Sequence, residues 1–361
     1  MIITVIAVNQ DLLIKILIIV FSIFLFVTFL VPFVKKIANH IGALDIPDER
    51  KVHKQPMPRL GGLAIYFGFL LGYILFGQHS LLMNSILIGS FIIVITGVID
   101  DIKPLKASTK LIGQLAAVLV VVFYGNILIK DISAFGFYIS FNWLSYPLTI
   151  FFMLGCINCM NLIDGLDGLA GGISAIYFLT IGIIATMMGS TGLDFILSFV
   201  MLGATLGFLV HNFHPASIIM GDSGSMFLGF IISVVALLGF KNVTMTSLII
   251  PLLVLSIPIL DTLFAIIRRL LKGESISKPD KFHIHHQLLN RNFSQRATVL
   301  IIYLVDLLFA FASIVYVLKN PIWGYIIYGI LLIIVITFVV KTNVVVDHKE
   351  IKKKLLKLKT K

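Results

Sequence analysis

Four short polar segments interrupt an otherwise apolar sequence of 361 residues, and each carries groups able to hold phosphate, a divalent cation or both. The first is DDIKPLKASTK, from Asp100. Two adjacent carboxylates can hold Mg²⁺ against phosphates and shape the local charge, and two acids ahead of Lys103 and Pro104 equally suit a turn and a cap. The second, NLIDGLDGLAGG from Asn161 to Gly172, sets two Asp-Gly pairs, at Asp164 and Asp167, beside an asparagine. A buried helix tolerates so irregular a stretch only where it lines a polar cavity. Its glycines admit a ligand close to the backbone, and the acids and amide supply oxygens. The third, GDSGS, puts Asp222 between glycines where a helix begins, which fits a plain N-cap or backbone N–H groups turned to phosphate. The fourth is HIHH, His283 to His286. Its spacing, without Cys or an HExxH pattern, is poor for zinc. Seven Lys and Arg between 268 and 296 make that loop cationic, suited to a metal-bound pyrophosphate or simply solvated.

The elements that must position these groups are membrane spans. The chain is 59% hydrophobic and 12% charged, with a mean hydropathy of +1.06, where soluble domains carry roughly 25% charged residues. Eleven apolar runs are long enough to cross, some only if tilted or packed inside the bundle. They cover about 12 to 34, 61 to 76, 82 to 99, 109 to 125, 144 to 160, 169 to 187, 194 to 213, 223 to 239, 247 to 269, 297 to 317 and 322 to 340. The run from Leu12 to Val34 is longer than a signal-peptide core and reads as a retained first span. The expected fold is therefore an all-α polytopic membrane protein, with one catalytic domain over 1–340 and a basic tail over 341–361 lying on anionic headgroups.

Charge sets the expected orientation. Of 28 Lys and Arg, 24 fall on one set of alternating connectors and only Lys15, Lys130, Lys241 and Lys319 on the other, which places the N-terminus outside and the C-terminus in the cytoplasm. The net charge of +11 follows from this rule, and nucleic acid is excluded as a partner. Residues 126 to 142 alternate weakly and suggest a short external β-hairpin. Cys156 and Cys159 share a helix face in an apolar segment and read as packing. Ionisable groups at membrane depth are functional candidates, and all four polar segments end odd-numbered spans or follow them. Spans three, five, seven and nine run the same way, so their inner ends can converge on one cytoplasmic cleft. Asp306 reads as the structural partner of a basic residue, Asp261 stays open between structure and function, and His211, Asn212 and His214 read as interfacial polar residues.

Taken in order, DD at Asp100, NLIDGLDGLAGG, GDSGS and HIHH resemble the motifs of the polyprenyl-phosphate N-acetylhexosamine-1-phosphate transferases, glycosyltransferase family 4. The resemblance covers roughly 35 to 340 and includes DIPDERKVHKQPMPRLGG, from Asp45 to Gly62, as a first cytoplasmic loop. HIHH resembles the branch that makes undecaprenyl-pyrophosphate-GlcNAc; the muramoyl-pentapeptide branch has three consecutive histidines, and here Ile284 interrupts them. That branch also carries a lysine three residues after the second Asp, where this chain has Pro104.

The resemblance implies transfer of GlcNAc-1-phosphate from UDP-GlcNAc to undecaprenyl phosphate, with UMP leaving, at the bacterial cytoplasmic membrane. Wall teichoic acid or a related envelope polysaccharide would be the destination. By similarity Asn161 and Asp222 are expected to ligate Mg²⁺, with Mn²⁺ as a substitute. Asp164 and Asp167 would contact the nucleotide sugar, Asp100 and Asp101 would serve the attacking lipid phosphate, and His283, His285 and His286 would bind donor phosphate. Expected partners are these two substrates and membrane lipid, with a homodimer allowed. The alternatives are a phospho-N-acetylmuramoyl-pentapeptide transferase and an ion-coupled transporter. A transporter would place its acids near the bilayer midplane at a repeat interface, whereas these lie at helix ends.

Overall fold

The computed structural model describes residues 10–47, 55–134, 137–239, 249–271, 273, 282–318 and 321–341. The chain divides between Val254 and Leu255 into two compact units. In the first, α1 (Gln10–Ile41) leads to a short antiparallel pair, β1 (Leu44–Asp45) and β2 (Met57–Pro58), in which Leu44 faces Pro58 and Asp45 faces Met57. Then come α2 (Gly61–Phe76), α3 (Leu81–Ile102) and α4 (Ala107–Leu119), the last continued by one π-helical turn to Tyr124. A second antiparallel pair follows, β3 (Asp131–Ala134) with β4 (Phe137–Ser140). The unit closes with α5 (Ser145–Ile163), α6 (Leu169–Met187), α7 (Leu193–Asn212), α8 (Gly221–Leu238) and α9 (Ile249–Val254). The second unit holds α10 (Ser256–Leu271), α11 (Ile284–Leu289), α12 (Gln295–Leu318) and α13 (Pro321–Lys341).

Among the described residues nine helices are long and apolar enough to cross a membrane, and the chain is a multi-pass membrane protein. Two of the eleven expected spans take another form. The second is α2, whose 16 residues rise about 24 Å, short of a hydrocarbon core of about 30 Å. The ninth is split into α9 and α10. Pro258 has no N–H to offer the Val254 carbonyl and its ring crowds that oxygen, so the helix ends and restarts. The expected basic tail lies outside the described residues from 342 onward.

Helix α8 is the axis of the first unit. All of its residues are buried, and α2, α3, α5, α6 and α7 pack around it. A helix apolar on every side belongs in a core; of its polar exceptions, Asp222, Ser223 and Ser225 lie in its first turns, and Ser233 donates to its own helix at Phe230 O. On α3, Ser80 caps the start by accepting from Met83 N, and the helix stops at Lys103, ahead of Pro104. Its glycine at Gly97 lets the two helices touch: a Cβ there would strike the Ser223 backbone. Asp101 follows four residues later, on the same face, and is thereby delivered to the start of α8.

In the second unit α12 and α13 pack through the ring pairs Phe309–Tyr328 and Tyr316–Tyr325, with centroids 5.5 and 5.1 Å apart. Pro321 opens α13, where its missing N–H costs no helical bond.

Candidate active site

The first turn of α8 gathers the polar groups. Asp222 N donates to Asp101 Oδ1 at 2.7 Å, while Ser223 N and Ser223 Oγ donate to Asp101 Oδ2 at 3.1 and 2.7 Å. The carboxylate of one helix thus caps another, satisfying orphan N–H groups and opposing the positive end of the helix dipole. Gly221 makes room for it. Its φ is +76°, and a Cβ there would collide with the Asp101 carboxylate, so both conformation and space require glycine.

Two cations bind the acids together. Arg59 Nε lies 3.0 Å from Asp101 Oδ1 and its Nη2 2.6 Å from Asp222 Oδ1, with Asp45 Oδ1 at 3.8 Å from Nη1. Its backbone is held as firmly: Arg59 N donates to Ala43 O, and on either side Ile219 N donates to Pro58 O, Gly61 N to Ile219 O and Gly62 N to Met220 O. Burial opposes the charge of Arg59, but Asp101 and Asp222 outweigh it and raise its pKa above that of an ordinary arginine. Lys110, four residues into α4, bridges Asp100 Oδ2 at 2.7 Å and Asp222 Oδ2. Asp100 Oδ1 also accepts from Leu105 N at 2.7 Å. Four carboxylates, Asp45, Asp100, Asp101 and Asp222, therefore face two cations, an excess of acid that a divalent cation would offset.

From α5, Asn161 Nδ2 donates to Ser225 Oγ at 2.9 Å, one turn along α8 from Asp222. One turn deeper, Asn158 and Gln114 form a reciprocal amide pair, with Asn158 Nδ2 donating to Gln114 Oε1 at 2.9 Å. That pair ties α5 to the helix carrying Lys110.

After α5 the two acids diverge. Asp164 has no hydrogen-bond partner among the described residues; burial first, and the charge of Asp222 second, push it up to about 8. Asp167 is engaged: its Oδ2 accepts from Ala216 N at 3.1 Å and lies 2.8 Å from His214 Nδ1. Asn212, expected at the interface, is buried instead, accepting from Gly168 N and donating to Ile218 O. His214 and Asn212 thus lash the loop before α8 to the loop before α6.

The HIHH segment belongs to the second unit. Asp261 Oδ2 lies 2.7 Å from His283 Nδ1, and Asp261 Oδ1 accepts from Ile284 N at 2.8 Å, so Asp261 fixes how the histidines enter α11. His283 and His285 stack with centroids 5.6 Å apart. Burial, then the charge of His286, lowers His285 to about 3, and it is neutral at physiological pH. The basic partner expected for Asp306 is not found among the described residues: its carboxylate is fully buried, with no hydrogen-bond partner there.

Among the described residues no three His, Cys, Asp or Glu side chains form a ready-made metal cage. Mg²⁺ does not need one, since it takes one or two protein oxygens and completes its shell with water and substrate phosphates. Asp222 and Asn161 suit that pattern. Asn161 commits its nitrogen to Ser225, and its carbonyl oxygen has no partner among the described residues.

Comparison with known proteins bears on the same helices. A family model described as glycosyl transferase family 4 matches residues 83–240. A Bacillus subtilis (strain 168) protein named probable undecaprenyl-phosphate N-acetylglucosaminyl 1-phosphate transferase is 43% identical over 90% of each chain. The decaprenyl-phosphate N-acetylglucosaminephosphotransferase of Mycolicibacterium smegmatis is 34% identical over 80% of this chain and 79% of its own. An undecaprenyl-phosphate alpha-N-acetylglucosaminyl 1-phosphate transferase of Escherichia coli (strain K12) is 29% identical over 80% of each.

Proposed function

Because this chain belongs to glycosyl transferase family 4, we propose that it transfers GlcNAc-1-phosphate from UDP-GlcNAc to undecaprenyl phosphate. The products are undecaprenyl-pyrophosphate-GlcNAc and UMP. The observation that carries the reading is the acid and cation cluster at the start of α8, where Asp222, Asn161, Arg59 and Lys110 meet. An oxygen of the lipid phosphate attacks the sugar-bearing phosphorus, and the bond from that phosphorus to the UMP oxygen breaks.

Asp222 and Asn161 would hold the divalent cation, which when bound neutralises the pyrophosphate and stabilises the departing UMP. The chain's own residues do the positioning. Both oxygens of Asp101 are used in capping α8 and binding Arg59, and both oxygens of Asp100 are used by Lys110 and Leu105 N. Neither is a free base. None is needed, because a phosphate monoester with a second pKa of about 6 is largely dianionic at neutral pH. Asp101 instead fixes the helix that carries Asp222, and Asp100 fixes Lys110. Asp164, drawn toward neutrality, suits donation of a hydrogen bond to the nucleotide sugar. Asp167 shapes the loop around it; by resemblance alone, His283, His285 and His286 would bind donor phosphate.

The uneven distribution of Lys and Arg supports a site opening to the cytoplasm, an N-terminus outside and the β3–β4 pair on the outer face. The lipid-linked GlcNAc would serve wall teichoic acid or a related envelope polymer. The test uses purified protein with undecaprenyl phosphate, Mg²⁺ and either UDP-GlcNAc or UDP-muramoyl pentapeptide. UMP release and a lipid product should appear with UDP-GlcNAc alone; a product only from the pentapeptide donor, or none from either, overturns the proposal.

A further inference from the structure

The two cations on Asp222 are not held alike. Arg59 is fixed by its backbone, faces three carboxylates and binds Oδ1 in a rigid planar fork. Lys110 binds Oδ2 and reaches it on a flexible four-carbon stem, a point charge with no second carboxylate oxygen of Asp222 or Asp101 to fix it. A cation entering on Asp222 therefore cannot easily take the arginine's oxygen. It can take the lysine's.

We infer that Lys110 and the divalent cation compete for Asp222 Oδ2, and that the displaced ammonium becomes a phosphate-binding group for the donor. This deepens the function proposed above and rests on the assignment of Asp222 as a metal ligand. The exchange is local. When the Lys110–Asp222 hydrogen bond gives way to a metal–oxygen bond, the ammonium keeps Asp100 Oδ2, 2.7 Å away, and no buried charge is left alone. The divalent ion then offsets the excess of Asp45, Asp100, Asp101 and Asp222 over Arg59 and Lys110, so the cluster no longer repels a pyrophosphate. With no phosphate between them, ammonium and metal repel. Donor binding relieves that repulsion, so metal and donor strengthen each other reciprocally through Lys110.

The test measures Mn²⁺ binding to the purified full-length protein without substrate, by the electron paramagnetic resonance signal of free Mn²⁺. Losing a charge-assisted hydrogen bond from the competitor makes Lys110→Gln bind about tenfold more tightly than wild type. Lys110→Arg restores the weaker binding. Lys103→Gln, at an exposed residue that removes the same charge, leaves affinity unchanged. Equal or weaker binding by Lys110→Gln overturns the inference, as does equal tightening by Lys103→Gln. Should Lys110→Gln not fold, acylation of Lys110 in the wild-type protein decides: its rate rises as Mn²⁺ is added, and a constant rate overturns the competition. Asp222→Asn separates the two layers. Wild-type Mn²⁺ affinity in that variant removes the metal assignment itself, whereas lost binding there with no gain in Lys110→Gln removes only the competition.

Discussion

The start of α8 and the helices of the second unit both bury ionisable groups, and they treat them differently. At α8 every carboxylate oxygen of Asp100, Asp101 and Asp222 has a partner, all but the local Leu105 N from another part of the chain. In the second unit Asp261 is satisfied by His283 and Ile284. There, however, the Asp306 carboxylate, His285 Nδ1 and the hydroxyls of Thr262 and Thr298 are buried with no hydrogen-bond partner among the described residues. A filled network holds its members at fixed spacing, whereas buried groups left without partners carry the full desolvation penalty. The first region has the character of a preorganised reaction site and the second of stored polar capacity.

The contrast is most severely tested at Asp222. Replacing it with alanine removes the proposed metal ligand and should lower UMP release by about a thousandfold or more; near-normal turnover would make the α8 network merely structural. Asp101→Ala comes next. It strips the cap of α8 and leaves Arg59 short of a buried partner, which should cost about 3–5 kcal/mol of stability, read as a large fall in Tm in detergent. Unchanged melting would mean that α8 stands without its cap.

In the second unit the expected sign reverses. Asp306→Leu removes a fully buried carboxylate with no partner among the described residues and should raise Tm, by about 1–3 kcal/mol of added stability; a drop would reveal a partner that satisfies it. A pH slope at Asp164 sharpens the comparison further. Its folded pKa, about 8, lies above its ordinary 3.8, so the unfolded chain sheds the proton first and stability falls as pH rises between those values. Asp164→Asn should abolish that slope, its Tm gaining on wild type from pH 5 to pH 8 and levelling off above; parallel melting curves would show Asp164 already ionised in the fold.

The spanning helices were largely legible because a span is a local property: about 20 apolar residues announce themselves without a partner. The acids were legible for a related reason, since Asp100, Asp101, Asn161, Asp164, Asp167 and Asp222 stand at the ends of apolar runs, where charge is costly. Arg59 and Lys110 were not. They counted only as loop charges that set orientation, and their pairing joins residues 163 and 112 positions apart from Asp222, which no local pattern encodes. Charge balance was the available signal, because clustered buried carboxylates demand cations. Asn212 and His214 were hidden likewise, as their partners Gly168 and Asp167 lie across two loops. The divided ninth span was readable at Pro258, but the apolar run around it masked the break.

Anomalous scattering from crystals of the protein grown with Mn²⁺ and UDP-GlcNAc tests the central claim most directly. The account predicts one Mn²⁺ peak within coordination distance of an Asp222 carboxylate oxygen and the Asn161 carbonyl oxygen, on the donor's pyrophosphate. A peak on His283, His285 or His286 with Asp222 still bound by Arg59 and Lys110 would contradict it.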